Sequence, residues 1–291
     1  MKRYAYLLLL SIPFIACKNQ EKKEAPGPVA TQSYNEEYRL QYHFSPPAHW
    51  MNDPNGLVYN DGNYHLFYQY YPEDTKWGPM HWGHATSKDL IKWDNKPIAL
   101  YPDSLGYIFS GSAVVDKHNT AGFGTQDNPA LVAMYTYHDP VGAQEGKDDY
   151  QYQAIAYSLD NGETFTKYEG NPVVPNDEKI KDFRDPKVFW YEPEEKWVLI
   201  LSVLDHSSFY ESKDLKTWQK MSDFGLEVGA HGGVWECPDL FKLPVDDGAK
   251  EKWVLIININ PGAPNGGSGT QYFVGDFDGK KFTTTQTEAK W

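Results

Sequence analysis

Four runs of apolar, β-branched and aromatic residues punctuate the chain: 64–70 (YHLFYQY), 130–137 (ALVAMYTY), 196–203 (KWVLILSV) and 252–259 (KWVLIINI). Each is short, nearly continuous and bounded by turn residues, the pattern of a buried strand. Downstream of each, a polar turn precedes an aromatic: Ser87-Lys88-Asp89 before Trp93, Asp160-Asn161-Gly162 before Phe165, Ser212-Lys213-Asp214 before Trp218, and 276–279 before Phe282. These predict four hairpins. Upstream of each run lies a further short segment: Asn52-Asp53-Pro54-Asn55-Gly56, Phe109-Ser110-Gly111-Ser112, Arg184-Asp185-Pro186-Lys187 and Glu236-Cys237-Pro238-Asp239. Positions 53, 110, 185 and 236 are 57, 75 and 51 residues apart. Units of about four strands recurring at such a period predict an all-β fold of propeller blades rather than a sandwich. No helical periodicity competes with that pattern.

Composition agrees and narrows the function. The 291 residues are 40% hydrophobic, 15% aromatic and 23% charged, enough for one large domain or two ordinary ones. A net charge of −13 repels phosphate backbones, so nucleic acid is excluded as an expected partner. The two cysteines, Cys17 and Cys237, allow at most one disulfide, so stability has to come from a core.

Residues 1–16 carry Lys2 and Arg3 before an apolar stretch too short to span a bilayer, which reads as a signal peptide. The end of the stretch, Phe14-Ile15-Ala16-Cys17, resembles the lipobox of bacterial lipoproteins. That resemblance implies export to the periplasm or cell surface, with lipidated Cys17 as the only membrane attachment. An ordinary signal with an incidental cysteine is the plainer alternative. Residues 17–37, polar with Pro and Gly, then form a flexible tether, and 38–291 the propeller domain.

In a propeller the first strand of each blade lines the central channel, so the recurring segments converge. Asp53, Asp185 and Glu236 are expected at corresponding positions of three blades, meeting in one pocket where repulsion and burial push their pKa values apart. Glycosidic-bond chemistry needs that separation: one ionised carboxylate and one protonated acid. Arg184 is expected to keep Asp185 ionised, and Glu236, beside Trp235 and Cys237, to hold a proton near neutrality. Each segment also has a bland reading. Asp-Pro-Asn-Gly is a good turn, Arg184-Asp185 could be a structural ion pair, and Cys237 a small buried apolar residue. His49, His81, His84 and His231 match no zinc spacing, and neither metal nor cofactor is expected. Trp50, Trp77, Trp82, Phe109 and Trp235 could be core, although sugar rings also stack on such side chains.

The ordered segments His49-Trp50-Met51-Asn52-Asp53-Pro54-Asn55-Gly56, Phe109-Ser110-Gly111, Phe183-Arg184-Asp185-Pro186 and Trp235-Glu236-Cys237-Pro238 resemble the motifs of glycoside hydrolase family 32, the β-fructosidases, and stretches such as 77–90 and 232–240 resemble most nearly those of bacterial levanases and exo-inulinases. The resemblance implies a retaining enzyme that releases terminal fructosyl units from levan, inulin or sucrose. Asp53 would be the nucleophile, Glu236 the general acid and base, and Asp185 the stabiliser of the transition state. Asn52, Gln69, Trp77, Phe109, Ser110 and Arg184 match positions that bind fructose in that family. It also implies a five-bladed propeller followed by a C-terminal β-sandwich, of which about four blades fit in the present sequence; the fifth blade and the sandwich are expected to be missing. A fructosyltransferase, or a non-catalytic fructan-binding lipoprotein, are the alternatives.

Overall fold

The computed structural model describes residues 36–291 except 247 and 249. The signal peptide and nearly all of the tether, with Cys17, lie outside the described residues. Among the described residues, sixteen strands form four antiparallel sheets of four, each a blade built from consecutive strands. Blade 1 holds β1 (Trp50–Asn60), β2 (Asn63–Tyr71), β3 (His81–Ser87) and β4 (Trp93–Leu100); blade 2 holds β5 (Tyr107–Val115), β6 (Leu131–His138), β7 (Gln151–Ser158) and β8 (Thr166–Lys167). Blade 3 holds β9 (Phe183–Tyr191), β10 (Lys196–Val203), β11 (His206–Ser212) and β12 (Gln219–Phe224). Blade 4 holds β13 (Val234–Val245), β14 (Lys250–Asn260), β15 (Gly269–Phe277) and β16 (Phe282–Thr284). The four apolar runs are the second strands, and the polar turns join the third strands to the fourth.

These turns repeat down to the hydrogen bond. In blade 1, Asp89 Oδ1 accepts the backbone N–H groups of Ile91 and Lys92, and Trp93 Nε1 donates to the Leu90 carbonyl. In blade 3, Asp214 Oδ1 accepts those of Lys216 and Thr217, and Trp218 Nε1 donates to the Leu215 carbonyl. The carboxylate satisfies donors that the turn would otherwise strand, and the indole pins the turn to the sheet.

Most of the core lies between blades, with a smaller cluster of Leu66, Ala85 and Trp93 inside blade 1. One apolar cluster joins blades 1 and 2 through Phe67, Trp82, Ile108 and Tyr135. A second joins blades 2 and 3 through Val132, Ile155, Trp197 and Leu199, and a third joins blades 3 and 4 through Ile200, Phe209, Trp235 and Leu255. Burying each such side chain contributes about 2 kcal/mol, so packing one blade on the next holds the four blades in sequence. β10, covered on both faces, is buried at every position, whereas β14 buries only alternate residues such as Leu255, Ile257 and Ile259. The run at 252–259 is therefore half-buried rather than wholly buried.

The first strands β1, β5, β9 and β13 pack side by side around the centre. Each carries the same irregularity. Met51 pairs with Tyr70 and Pro54 with Tyr68; Ile108 with Tyr137 and Gly111 with Tyr135; Arg184 with Ser202 and Lys187 with Ile200; Glu236 with Asn258 and Asp239 with Ile256. In every blade two residues of the first strand thus oppose one of the second, which defines a β-bulge. Three of the four bulges contain or adjoin a proline, which has no N–H to lose there. In the remaining one, a Cβ on Gly111 would strike the Met134 carbonyl oxygen.

Candidate active site

The bulges aim the motif side chains at one end of the channel. Their residues are Asn52-Asp53, Phe109-Ser110, Asp185-Pro186 and Cys237-Pro238. The carboxylates do converge, but not from identical positions. Asp53 is the second residue of its bulge, Asp185 the first, and Glu236 immediately precedes its own. A one-residue shift in an extended strand would turn a side chain away; the bulge adds the kink that brings each back. Asp185 and Cys237 adopt left-handed φ values of 63° and 47°, rare for residues with a Cβ and favoured at sites where chemistry is organised.

A cleft of about 420 Å³ opens here. All nine residues expected to bind or react line it: Asn52, Asp53, Gln69, Trp77, Phe109, Ser110, Arg184, Asp185 and Glu236. Gln69 stands opposite the Asn52-Asp53 bulge, and its amide nitrogen is buried without a partner. That nitrogen is a donor available to a hydroxyl in the cleft. Phe109 is fixed through its carbonyl, which accepts from Trp82 Nε1 at 2.9 Å, and Trp50 Nε1 donates to Asn52 Oδ1 at 2.8 Å. The tryptophans divide by role: Trp82 and Trp235 are fully buried core, whereas Trp77 is half exposed on the cleft wall, its ring edge-on to Phe109. A larger cavity of about 570 Å³ farther along the first strands, between Tyr59, Val115 and Trp190, contains none of these three carboxylates.

Asp53 Oδ2 accepts from Ser110 Oγ at 2.7 Å. The Cys237 thiol lies 3.7 Å from that oxygen and 3.6 Å from Asp185 Oδ2, and the Cys237 backbone N–H donates to the latter at 2.9 Å. Cys237 is therefore a donor between two carboxylates, not the small apolar residue that was one reading of it. Burial, together with Asp185, Asp53 and Glu236, pushes its thiol pKa well up, so it stays protonated and unreactive.

The expected pairing of Arg184 with Asp185 needs correction. The guanidinium bonds Asp182 Oδ1 at 2.6 Å and Glu236 Oε1 at 3.0 Å, and its Nε is 4.0 Å from Asp185. Burial dominates Asp185; Asp53 and Glu236 add repulsion, Arg184 and the Cys237 N–H offset only part, and its pKa is pushed up to about 6. Above pH 6 the fold thus holds a carboxylate that the unfolded chain would hold more easily. The cost shrinks as pH falls and disappears below about 3, where both states are protonated. Asp185→Asn is expected to stabilise the fold at pH 7 by up to about 3 kcal/mol, and at pH 4 by only about 0.5 kcal/mol. Equal gains in melting temperature at both pH values would refute this.

Sequence reasoning left out His138, Tyr150, Gln151, Asp182 and Asn260, which also line the cleft. Most sit at or next to strand ends at the same mouth, a signal that topology could have supplied and motifs could not. Among the described residues no group of three or more His, Cys, Asp or Glu side chains is arranged to hold a metal ion. His84 instead stacks on His65, with ring nitrogens 3.1 Å apart.

Residues 43–291 match the model of the glycosyl hydrolases family 32 N-terminal domain. The chain belongs to family 32. It is 60% identical to the levanase of Bacillus subtilis (strain 168) over 250 residues, which cover 86% of this chain and 36% of the levanase. It is 51% identical to an extracellular exo-inulinase of Aspergillus niger over 271 residues, covering 86% of this chain and 50% of that protein. The crystal structure of exo-inulinase from Aspergillus awamori superimposes with a TM-score of 0.81 at 47% identity, over 88% of this chain and 53% of that one. The chain therefore spans between about a third and a half of the length of these family 32 relatives. The propeller architecture and the order of the motifs agree with that membership.

Proposed function

We propose that this protein is a retaining β-fructosidase that releases terminal fructosyl units from levan, inulin or sucrose. The observation that carries the reading is the convergence of Asp53, Asp185 and Glu236, from three blades, on one cleft with an aromatic wall. A cleft of about 420 Å³ suits a sugar unit, and the names of the levanase and exo-inulinase relatives point to fructans.

Asp53 is assigned as nucleophile. Its oxygen attacks the anomeric carbon of the terminal fructosyl unit as the bond to the leaving oxygen breaks, and Glu236 gives that oxygen its proton. In the second step Glu236, now a carboxylate, takes a proton from water, the water oxygen bonds the anomeric carbon, and Asp53 departs. Ser110 Oγ holds Asp53 at a defined angle. Asp185, ionised, offsets the positive charge that develops on the ring, so activity should fall as pH drops through about 6. Asn52, Gln69 and Arg184 offer polar groups to ring hydroxyls, while Trp77 and Phe109 pack on the apolar ring face.

The deciding experiment is product analysis of the full-length protein on levan, inulin and sucrose. Free fructose, released first as the β-anomer, is the expected product; the α-anomer first would overturn retention. Oligomers longer than the substrate would favour a fructosyltransferase, and binding without release a fructan-binding protein. The extracellular exo-inulinase relative supports export, and the lipobox-like Phe14-Ile15-Ala16-Cys17 supports a lipid anchor at Cys17. Cys17→Ser should then move the protein from the membrane to the soluble fraction, and unchanged partitioning would refute the anchor.

A further inference from the structure

His138 closes β6 at the rim of the cleft, and the chemistry above gives it no task. Its ring lies flat against Phe109, with centroids 4.3 Å apart and planes at 8°, and meets Tyr150 edge-on at 5.2 Å. Its Nδ1 is 3.3 Å from the amide nitrogen of Gln151, a buried residue at the start of β7. The other amide atom of Gln151 faces two donors, the Phe183 backbone N–H at 3.0 Å and Arg184 Nη1 at 3.5 Å. An atom held between donors has to be the carbonyl oxygen, which turns the amide nitrogen towards the imidazole. That nitrogen can only donate, so Nδ1 has to accept, and the ring is neutral with its proton on Nε2.

The electrostatic surroundings agree. Burial and the positive charge of Arg184 push the imidazolium pKa down to about 4, and Asp139 and Asp182 oppose them only in part. The ring faces no other titratable side chain than Tyr107 and Tyr150 among its stacking contacts. Phe109, His138, Gln151, Arg184 and Glu236 thus form one continuous line from blade 2 to blade 4.

We propose that His138 is a positioning residue: as a neutral acceptor it locks the Gln151 amide, whose oxygen holds Arg184 against Glu236, while its ring backs Phe109. The kinetic consequence rests on the proposed fructosidase reaction; the tautomer does not.

Two variants and one spectrum test it. His138→Phe keeps a ring on Phe109 and removes the acceptor. His138→Asn places an oxygen near the position of Nδ1 and removes the ring. His138→Phe is expected to lower kcat on levan roughly 10- to 100-fold with KM changed less than about threefold, because small displacements of a catalytic group cost rate rather than binding. His138→Asn is expected to recover most of kcat and to raise KM. An unchanged kcat in His138→Phe, or equal losses of kcat in both variants, would overturn the proposal. Independently, the ring nitrogens of the wild-type protein, assigned by through-bond correlation to the His138 backbone, should report the neutral Nε2–H tautomer from pH 5 to pH 8. An Nδ1–H tautomer or an imidazolium in that range would overturn the proposal whatever the activity and whether or not the variants fold. A wild-type protein that releases no fructose would instead overturn the functional reading, and the tautomer would still decide whether the lock exists.

Discussion

Asp53→Ala is expected to lower kcat on fructans and sucrose by on the order of 10⁵-fold and to leave the fold intact. The size follows from the role: without a nucleophile no covalent intermediate forms, and a water molecule placed at the same point lacks both the carboxylate's reach and its charge. The survival of the fold follows from the neighbourhood. Asp53 is only half-buried, and the groups that contact it are Ser110 Oγ and the Cys237 thiol, both able to turn to solvent or to Asp185. Asp53 also repels the buried Asp185 carboxylate, so its removal relieves electrostatic strain. The melting temperature at pH 7 should therefore stay or rise. Asp53→Asn keeps an acceptor for Ser110 and should be as inactive, which separates lost chemistry from lost structure. Turnover within tenfold of wild type in either variant, with the melting curve unchanged, would remove Asp53 from the mechanism.

Much of this arrangement was legible in the order of residues. The runs at 64–70 and 196–203 announce second strands because a strand covered on both faces needs no polar alternation, and the Ser-Lys-Asp turns announce hairpins because their carboxylates have backbone donors to satisfy. The motif segments also pointed to one pocket, and the nine named side chains share one cleft. What could not be read was register. Asp53, Asp185 and Glu236 looked equivalent because each lies near a proline, yet they occupy three different places relative to their bulges. Nor could adjacency in sequence reveal that Arg184 reaches past Asp185 to Glu236, 52 residues away. The position of a long flexible side chain is set by what surrounds it in three dimensions, and here Gln151 and Asp182 decide it. His138 gave no sequence signal at all, since a histidine at a strand end has no pattern until its stacking partner is placed.

Glu236→Gln should produce a different kind of loss, and the contrast tests the division of labour between the two carboxylates. Gln keeps the length of the side chain and an oxygen for the Arg184 Nη2 bond, so geometry is preserved while the proton is not. On sucrose or levan, whose leaving oxygen departs as an alcohol, kcat is expected to fall roughly 10³- to 10⁴-fold. On a fructoside with an acidic phenol as leaving group, departure needs little protonation, so a burst of phenol should appear at a nearly normal rate. Turnover should then stall, because the second step still needs a base to activate water. Glu236→Ala leaves space beside the anomeric carbon, and added azide should relieve that stall by attacking the fructosyl-enzyme without deprotonation, giving a fructosyl azide of retained configuration. No such rescue should restore retained product in Asp53→Ala, where the intermediate never forms. If Glu236→Gln lost the phenolic and natural substrates equally, Glu236 would be holding the sugar rather than moving a proton.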